Sequence, residues 1–201
     1  MSIATEPIPI TITAPDAAAR PLLDQLKDRI PDHAKDLRIN LGVIAGATAL
    51  NSQQAWGTAL ASAITARNAE VVAAIEEAAG AHLSPEARAA ARGAASIMGM
   101  NNVYYRFLHM MSEGADAPAY ASMPARLRMQ IIGRPGVPHL DFELWCLAAS
   151  AITGCAACVR SHERSARERG GQPEQVHEAV RIASVLHAVA LTLDTVAPAA
   201  A

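Results

Sequence analysis

Cys155 and Cys158 are separated by Ala156 and Ala157, and His162 follows four residues after the second cysteine. Residues three and four apart on a helix share a face, so on a helix these side chains form one stripe. A Cys-x-x-Cys pair can close a disulfide reversibly, and an imidazole one turn away can accept or relay a thiol proton. Cys155 falls at the start of the expected helix, where free N–H groups and the helix dipole favour a thiolate. The pattern points to a dithiol/disulfide redox centre. Glu143 stands just upstream, in the apolar run Phe142-Glu143-Leu144-Trp145-Cys146-Leu147. A carboxylate in such a run is costly to bury unpaired. It is either solvated or, if it faces the cysteines, a general base acting directly or through water and His162.

Other roles are open to the same residues. Cys155, Cys158 and His162 can supply three zinc ligands, with Glu143 or Cys146 as the fourth. Structural zinc sites usually draw a second ligand pair from a distant loop, however, and there is no second Cys-x-x-Cys. Cysteines also serve as small buried residues, which is the expectation for Cys146, a thiol with no pairing partner nearby in sequence. His187, in an apolar stretch, reads as a core histidine. Thioredoxin-like Cys-x-x-Cys motifs accompany a βαβ pattern, which is absent here, so the redox centre needs a helical scaffold.

The composition supplies one. The chain has 201 residues, 51% hydrophobic, 18% charged and 3% aromatic, and it is rich in alanine. That excludes a disordered chain and argues against an all-β sandwich; alanine with Leu, Glu and Arg is the composition of packed helices. A net charge of -2 gives no basic excess for nucleic acid. No apolar run reaches the roughly 18 residues of a transmembrane span without a charge or breaker. The N-terminal stretch lacks a basic n-region and is interrupted by Pro7 and Pro9, unlike a signal peptide. The expectation is a cytoplasmic protein whose cysteines do chemistry rather than form a structural disulfide.

The elements follow from punctuation and periodicity. Ile8, Ile10 and Ile12 alternate with Pro9 and Thr11, as in a short edge strand, an extended arm or a loose tail. Leu22, Leu23, Leu26 and Ile30 have helical spacing that Pro31 ends, and Leu37, Leu41 and Ile44 mark a second segment. A helix from Ser52 to Ala66 has Ser52 as its expected N-cap. Another opens at Ser84-Pro85-Glu86 and continues through Ile97 towards Tyr105. The Pro- and Gly-rich stretch from Gly114 to Pro138 reads as loops around a short helix. Helices are then expected from about Asp141 to Ile152, from Cys155 to Arg169 with a stop at Gly170-Gly171, and from Pro173 to Leu193. The chain divides into an N-terminal extension (1–20) and an all-α domain (21–201).

That domain contains a repeat. Ala61-Ser62-Ala63-Ile64-Thr65 recurs as Ala149-Ser150-Ala151-Ile152-Thr153 at an offset of 88. The same offset maps Pro85-Glu86 onto Pro173-Glu174 and Ala95-Ser96-Ile97 onto Ala183-Ser184-Val185. Two related helical halves are expected, a structural one at about 21–113 and a redox one at about 139–195. At this offset Cys155 corresponds to Arg67, Cys158 to Glu70 and His162 to Ala74, so only the second copy carries the chemistry.

Together these segments resemble the alkyl hydroperoxide reductase D (AhpD) family of the carboxymuconolactone decarboxylase-like superfamily. The resemblance rests on Phe142-Glu143-Leu144-Trp145, Ser150-Ala151-Ile152, Gly154-Cys155-x-x-Cys158 and His162-Glu163. It extends to Ala34-Lys35-Asp36, Trp56-Gly57-Thr58, the run from Ile97 to Arg106, Arg128-Met129 and Pro135-Gly136-Val137-Pro138. It covers nearly everything from about Leu26 to Leu193. It implies an all-helical fold with two related halves and an antioxidant thiol enzyme forming a homo-oligomer, commonly a trimer. Such proteins bind no cofactor; they reduce the disulfide of a partner AhpC-like peroxiredoxin and are recharged by dihydrolipoyl groups of a 2-oxoacid dehydrogenase system. They also reduce hydroperoxides directly, though weakly. By position, Cys158 resembles the nucleophile, Cys155 the second cysteine that closes the disulfide, and Glu143 and His162 the proton relay. The dipole alone favours Cys155 as thiolate, whereas the nearness of His162 favours Cys158. Some members carry a histidine where this chain has Ala157, which puts that extra imidazole's role in doubt. A cofactor-free decarboxylase, suggested by the superfamily, is the remaining alternative, but its chemistry has no need of a dithiol.

Overall fold

A computed structural model describes residues 20–196. The isoleucine alternation at Ile8, Ile10 and Ile12 and the C-terminal alanines lie outside the described residues. Within them the fold is all-α, with no strand. In chain order the helices are α1 (Leu22–Arg29), α2 (Asp36–Asn40), α3 (Ser52–Ala66), α4 (Ala69–Ala79), α5 (Pro85–Met110), α6 (Ala117–Ser122), α7 (Gln130–Gly133), α8 (His139–Thr153), α9 (Ala156–Glu168) and α10 (Pro173–Asp194).

Two helices form the centre. Every residue from Gln54 to Ala63 on α3 and from Asp141 to Ser150 on α8 is buried. A helix apolar all round is one enclosed on all sides. α3 packs on α8, α5, α10 and α4, and α8 packs on α9, α10 and α5 as well. Small residues let α3 and α8 approach closely. A Cβ at Gly57 would lie 2.2 Å from the indole ring of Trp145, so only glycine fits under that ring. The Trp145 indole N–H donates to the Gln54 carbonyl across the same crossing, at 3.2 Å. Burying Phe142 and Trp145 completely stabilises the fold by about 2–3 kcal/mol per side chain.

Polar contacts set the helix ends. Buried Asp141 accepts from the side-chain amides of Gln53 (2.7 Å) and Gln54 (2.8 Å). Gln54 in turn accepts from Gln175 of α10 at 3.1 Å, so one network joins the starts of α3, α8 and α10. Glu178 of α10 accepts from the backbone N–H groups of Thr48, Ala49 and Leu50 and from the Thr48 hydroxyl. Burial alone would push this carboxyl up, but these donors overcome it and hold it below the usual carboxylate range. Glu178→Gln is expected to cost about 1–3 kcal/mol of stability at neutral pH. The loss shrinks as pH falls through the depressed carboxyl value, because the charged form carries the contribution. Urea denaturation of both proteins at pH 7 and pH 3 checks it; an equal gap at both values would refute it.

The expected helices are present, with corrections. Asn51, not Ser52, caps α3 through a capping box with Gln54; Ser52 is the first helical residue. α4 was not anticipated. It opens where Asn68 caps the Val71 N–H at 3.0 Å, directly after Arg67 ends α3 in the left-handed region. The Pro- and Gly-rich connection holds two short helices, α6 and α7, rather than one. By length and composition α10 could cross a membrane. Instead its face of Ile182, Leu186, Val189 and Leu193 is buried on the central helices. His187 is exposed rather than a core residue, because it lies on the opposite side of that helix.

The repeat is physical. The triples α3-α4-α5 and α8-α9-α10 follow one another in the same order, with Pro85 and Pro173 both opening their third helix. α3 packs on α10 as α8 packs on α5, so the halves interlock around the α3/α8 crossing. The register of the first two helices needs correction, however. α3 (Ser52–Ala66) and α8 (His139–Thr153) begin and end 87 residues apart and are closed by left-handed Arg67 and Gly154. The next caps, Asn68 and Cys155, are therefore one residue nearer than the offset of 88. Each accepts the backbone N–H three residues on. The buried face of α4 is Val71, Ala74, Ile75 and Ala79; that of α9 is Cys158, His162 and Ala166. Cys155 thus corresponds to Asn68, Cys158 to Val71 and His162 to Ile75, not to Arg67, Glu70 and Ala74. The polar chemistry of the second half replaces aliphatic core positions of the first.

Candidate functional site

The site lies where α9 crosses α8 and the C-terminal half of α5. Gly154 turns the chain between α8 and α9 in a conformation that glycine adopts without strain. α5 holds this corner. Asn102 donates to the Thr153 hydroxyl at 2.7 Å, accepts from the Ser150 hydroxyl at 3.0 Å, and Arg106 donates to the Thr153 carbonyl at 2.6 Å. The end of α8 is therefore fixed, and with it the position of Cys155.

Cys155 caps α9, its sulfur 3.4 Å from the Cys158 backbone N. The Cys155 and Cys158 sulfurs are 2.6 Å apart, both cysteines being free thiols. A disulfide bond of about 2.05 Å needs only a small approach. The two are not equivalent. Cys155 is fully enclosed, whereas Cys158 lines a cavity of about 250 Å³ with Asn101, Tyr105, Met129, Ile132, Glu143 and His162. Burial first, and then the hydrogen bond and charge of Cys155, push the Cys158 thiol up to about 12. In this arrangement Cys158 keeps its proton at neutral pH, so its attack on any electrophile requires a base to take that proton. Replacing Cys155 by serine removes its charge and leaves burial. In Cys155→Ser the pH profile of Cys158 alkylation is therefore expected to move to lower pH while remaining above the ordinary thiol value. Iodoacetamide kinetics by mass spectrometry check it; an unmoved profile would show that Cys155 exerts no hold on Cys158.

Glu143 is buried rather than solvated, and its carboxylate meets His162 Nδ1 at 2.6 Å. His162 Nε2 faces the Met98 sulfur at 3.2 Å. An ionised carboxylate only accepts, so the Nδ1–H of His162 donates to Glu143 and Nε2, on the Met98 side, is the nitrogen left to exchange a proton. Arg169, at the end of α9, adds positive charge 4.0 Å from the other Glu143 oxygen. No hydrogen bond joins His162 to either cysteine among the described residues; the cavity lies between them. Cys146 sits fully buried in α8, its thiol held well above the ordinary value by burial and by the charge of Glu143, in keeping with a packed core residue. The four-ligand zinc arrangement is not assembled. His162 is engaged by Glu143 and Met98, and among the described residues no three His, Cys, Asp or Glu side chains converge on a metal-sized site.

The structure thus brings Cys155, Cys158, Glu143 and His162 together. It adds Met98, Asn101 and Tyr105 from α5, Met129 and Ile132 from the region around α7, and Arg169. None of these stood out from the sequence as site residues. The arrangement holds a buried carboxylate–imidazole pair and a dithiol on one apolar cavity. It can move a proton at His162 and exchange two electrons at sulfur.

The model of the Carboxymuconolactone decarboxylase family matches residues 118–201, the region carrying the dithiol. Similarity over most of the chain is more specific. An alkyl hydroperoxide reductase AhpD of Gluconacetobacter diazotrophicus is 57% identical over 172 residues, 86% of this chain and 92% of the relative. AhpD of Methylocella silvestris is 52% identical over 86% of this chain and 94% of the relative. AhpD of Streptomyces coelicolor is 49% identical over 89% of this chain and 98% of the relative. At such identity over nearly full length, with an all-α fold, the chain belongs to the alkyl hydroperoxide reductase AhpD family.

Proposed function

We propose that this protein is an antioxidant oxidoreductase that reduces organic hydroperoxides through the Cys155–Cys158 dithiol. The observation that carries it is the position of Cys158 on an apolar cavity, with the Cys155 sulfur 2.6 Å behind it. The Glu143–His162 pair on the same cavity supports it. In the first step the Cys158 sulfur, losing its proton towards His162, attacks the terminal peroxide oxygen. The S–O bond forms, the O–O bond breaks, and the alcohol leaves with a proton. Cys158 is then a sulfenic acid. The Cys155 sulfur attacks it, water leaves, and the disulfide closes. A dihydrolipoyl dithiol returns two electrons and two protons by thiol–disulfide exchange. The same centre, once reduced, would reduce the disulfide of an AhpC-like peroxiredoxin partner. With Ala157 carrying no imidazole, the proton crosses the cavity between Cys158 and His162 through water. The mechanism requires no bound cofactor or metal. A reducing cytoplasm, where the dithiol is maintained, is the compartment that fits.

A homo-oligomer, commonly a trimer in this family, fits the exposed stripe of Val103, Phe107 and Met110 on α5, spaced as one helix face. Light scattering should give a mass three times that of the chain; a monomer would refute it. The redox reading is tested by intact mass and thiol counts after dihydrolipoamide and then after cumene hydroperoxide. Loss of two thiols, mapped to Cys155 and Cys158 and reversed by dihydrolipoamide, is expected. Thiols silent to both reagents would refute it, and turnover of a lactone acid by a double Cys→Ser variant would instead favour a decarboxylase.

A further inference from the structure

We infer that the side-chain amide of Asn101 binds the hydroperoxide group and orients it in front of Cys158, an inference that rests on the peroxidase reading above. Asn101 and Asn102 are adjacent on α5, and both are more than nine-tenths buried. Their situations differ. Asn102 uses both ends of its amide, to Thr153 and Ser150, to hold the corner of α8. Asn101 has no side-chain partner among the described residues, and its Oδ1 is fully buried without a hydrogen bond. Native proteins rarely leave such a group unpaired, and an exception calls for an explanation. Asn101 lines the cavity with Cys158, and its backbone carbonyl lies 3.9 Å from the Cys158 sulfur. The unpaired amide therefore sits beside the reacting atom.

The other polar groups of the cavity are bonded or less enclosed: Ser161 is exposed and Tyr105 half-buried. Glu143 and His162 are bonded to each other, and Ser165 accepts from Arg169. The nearby wall of Tyr105, Met129 and Ile132 suits the organic part of a substrate. A hydroperoxide has one O–H donor and lone pairs on both oxygens. An amide offers one acceptor and one N–H donor edge, a direct complement after rotation of the side chain towards the cavity. Accepting from the terminal O–H aligns that oxygen with the Cys158 sulfur. Donating from Nδ2 to the inner oxygen stabilises the charge that develops there as the O–O bond breaks. The electron pair of that bond goes to the inner oxygen, which leaves as alcohol with the proton released by Cys158.

The test compares two reagents on reduced protein by stopped flow. Cumene hydroperoxide needs the O–O bond polarised; methyl methanethiosulfonate reports only the access and reactivity of Cys158. In Asn101→Ala the hydroperoxide rate is expected to fall about tenfold to a hundredfold, with the methanethiosulfonate rate within threefold of the parent. Asn101→Ser, whose hydroxyl both donates and accepts, should regain part of the lost rate. A fall in both rates together, including one caused by misfolding in both variants, would make Asn101 a packing residue and overturn the inference. So would an unchanged hydroperoxide rate. If the unsubstituted protein itself reacts with methanethiosulfonate but not with hydroperoxide, the peroxidase reading fails first, and the two failures are told apart by that control.

Discussion

Cys158→Ser is expected to abolish hydroperoxide turnover, lowering it by at least about 10⁴-fold, and to leave no intramolecular disulfide after oxidation. Serine fills nearly the same volume, so the cavity and the helix survive. Its hydroxyl is a far poorer nucleophile towards peroxide oxygen than a thiolate and forms no stable oxidised product that a dithiol can reduce. Neither remaining thiol can take over. Cys155 is enclosed at the cap of α9 and does not line the cavity. Cys146 is buried in α8 with its thiol held strongly protonated. The contrast with Cys155→Ser locates the two roles. That variant keeps the attacking sulfur but cannot close the disulfide, so it should consume about one equivalent of peroxide and stop with Cys158 as a sulfenic acid. Peroxide consumption under excess dihydrolipoamide reads the turnover of Cys158→Ser; the single equivalent is read on pre-reduced Cys155→Ser with no dithiol added and with dimedone trapping. Sustained turnover by Cys158→Ser would move the nucleophile to Cys155, the choice that the helix dipole alone favours.

The site was legible in the sequence where its residues lie close together and its geometry is that of one helix. Cys155, Cys158 and His162 follow helical spacing, and the structure places Cys158 and His162 on the buried face of α9. The all-α fold was legible for a similar reason. Proline and glycine mark most helix ends, and the repeated Ala-Ser-Ala-Ile-Thr run exposes the second copy. Partners from distant elements were not legible. Met98, Asn101 and Tyr105 reach the cavity from α5, and no local pattern says which residues of that long helix will face α9. Glu143 was ambiguous because a carboxylate in an apolar run reads equally as solvated or paired; only the His162 contact decides it. α4 was missed because its opening signals, left-handed Arg67 and the Asn68 cap, are weak in an alanine-rich stretch. The first two helices of each triple sit 87 residues apart and the third, opening at Pro85 and Pro173, sits 88 apart, so the one-residue shift lies between the second and third helices. Comparison at the fixed offset of 88 therefore pairs Cys158 with half-buried Glu70, which is bonded to Arg29, rather than with buried Val71.

Glu143→Gln should lower peroxide turnover by about 10²- to 10⁴-fold while leaving the reduced protein with the same number of thiols. The carboxamide is nearly isosteric and can still accept from His162 Nδ1, so the ring stays in place. What disappears is the negative charge 2.6 Å from that nitrogen. Without it a ring that takes up the Cys158 proton is no longer balanced, and Arg169, 4.0 Å from the other Glu143 oxygen, disfavours that state further. His162 then becomes a weaker acceptor for the Cys158 proton. The consequence is large because Cys158, pushed up to about 12 by burial and by Cys155, depends on such an acceptor. Reduction of the disulfide should slow as well, since the departing sulfur of Cys158 needs a proton from the same ring. Folding should change little, because the carboxamide fills the same space and keeps the hydrogen bond from His162 Nδ1. The measurements are kcat/KM for cumene hydroperoxide, the rate of disulfide reduction by dihydrolipoamide, thiol titration and thermal unfolding. A slowed rate with intact thiols and unfolding behaviour assigns the carboxylate to proton transfer. A normal rate would remove Glu143 from the mechanism and leave its contact with His162 as a packing feature of the α8/α9 interface.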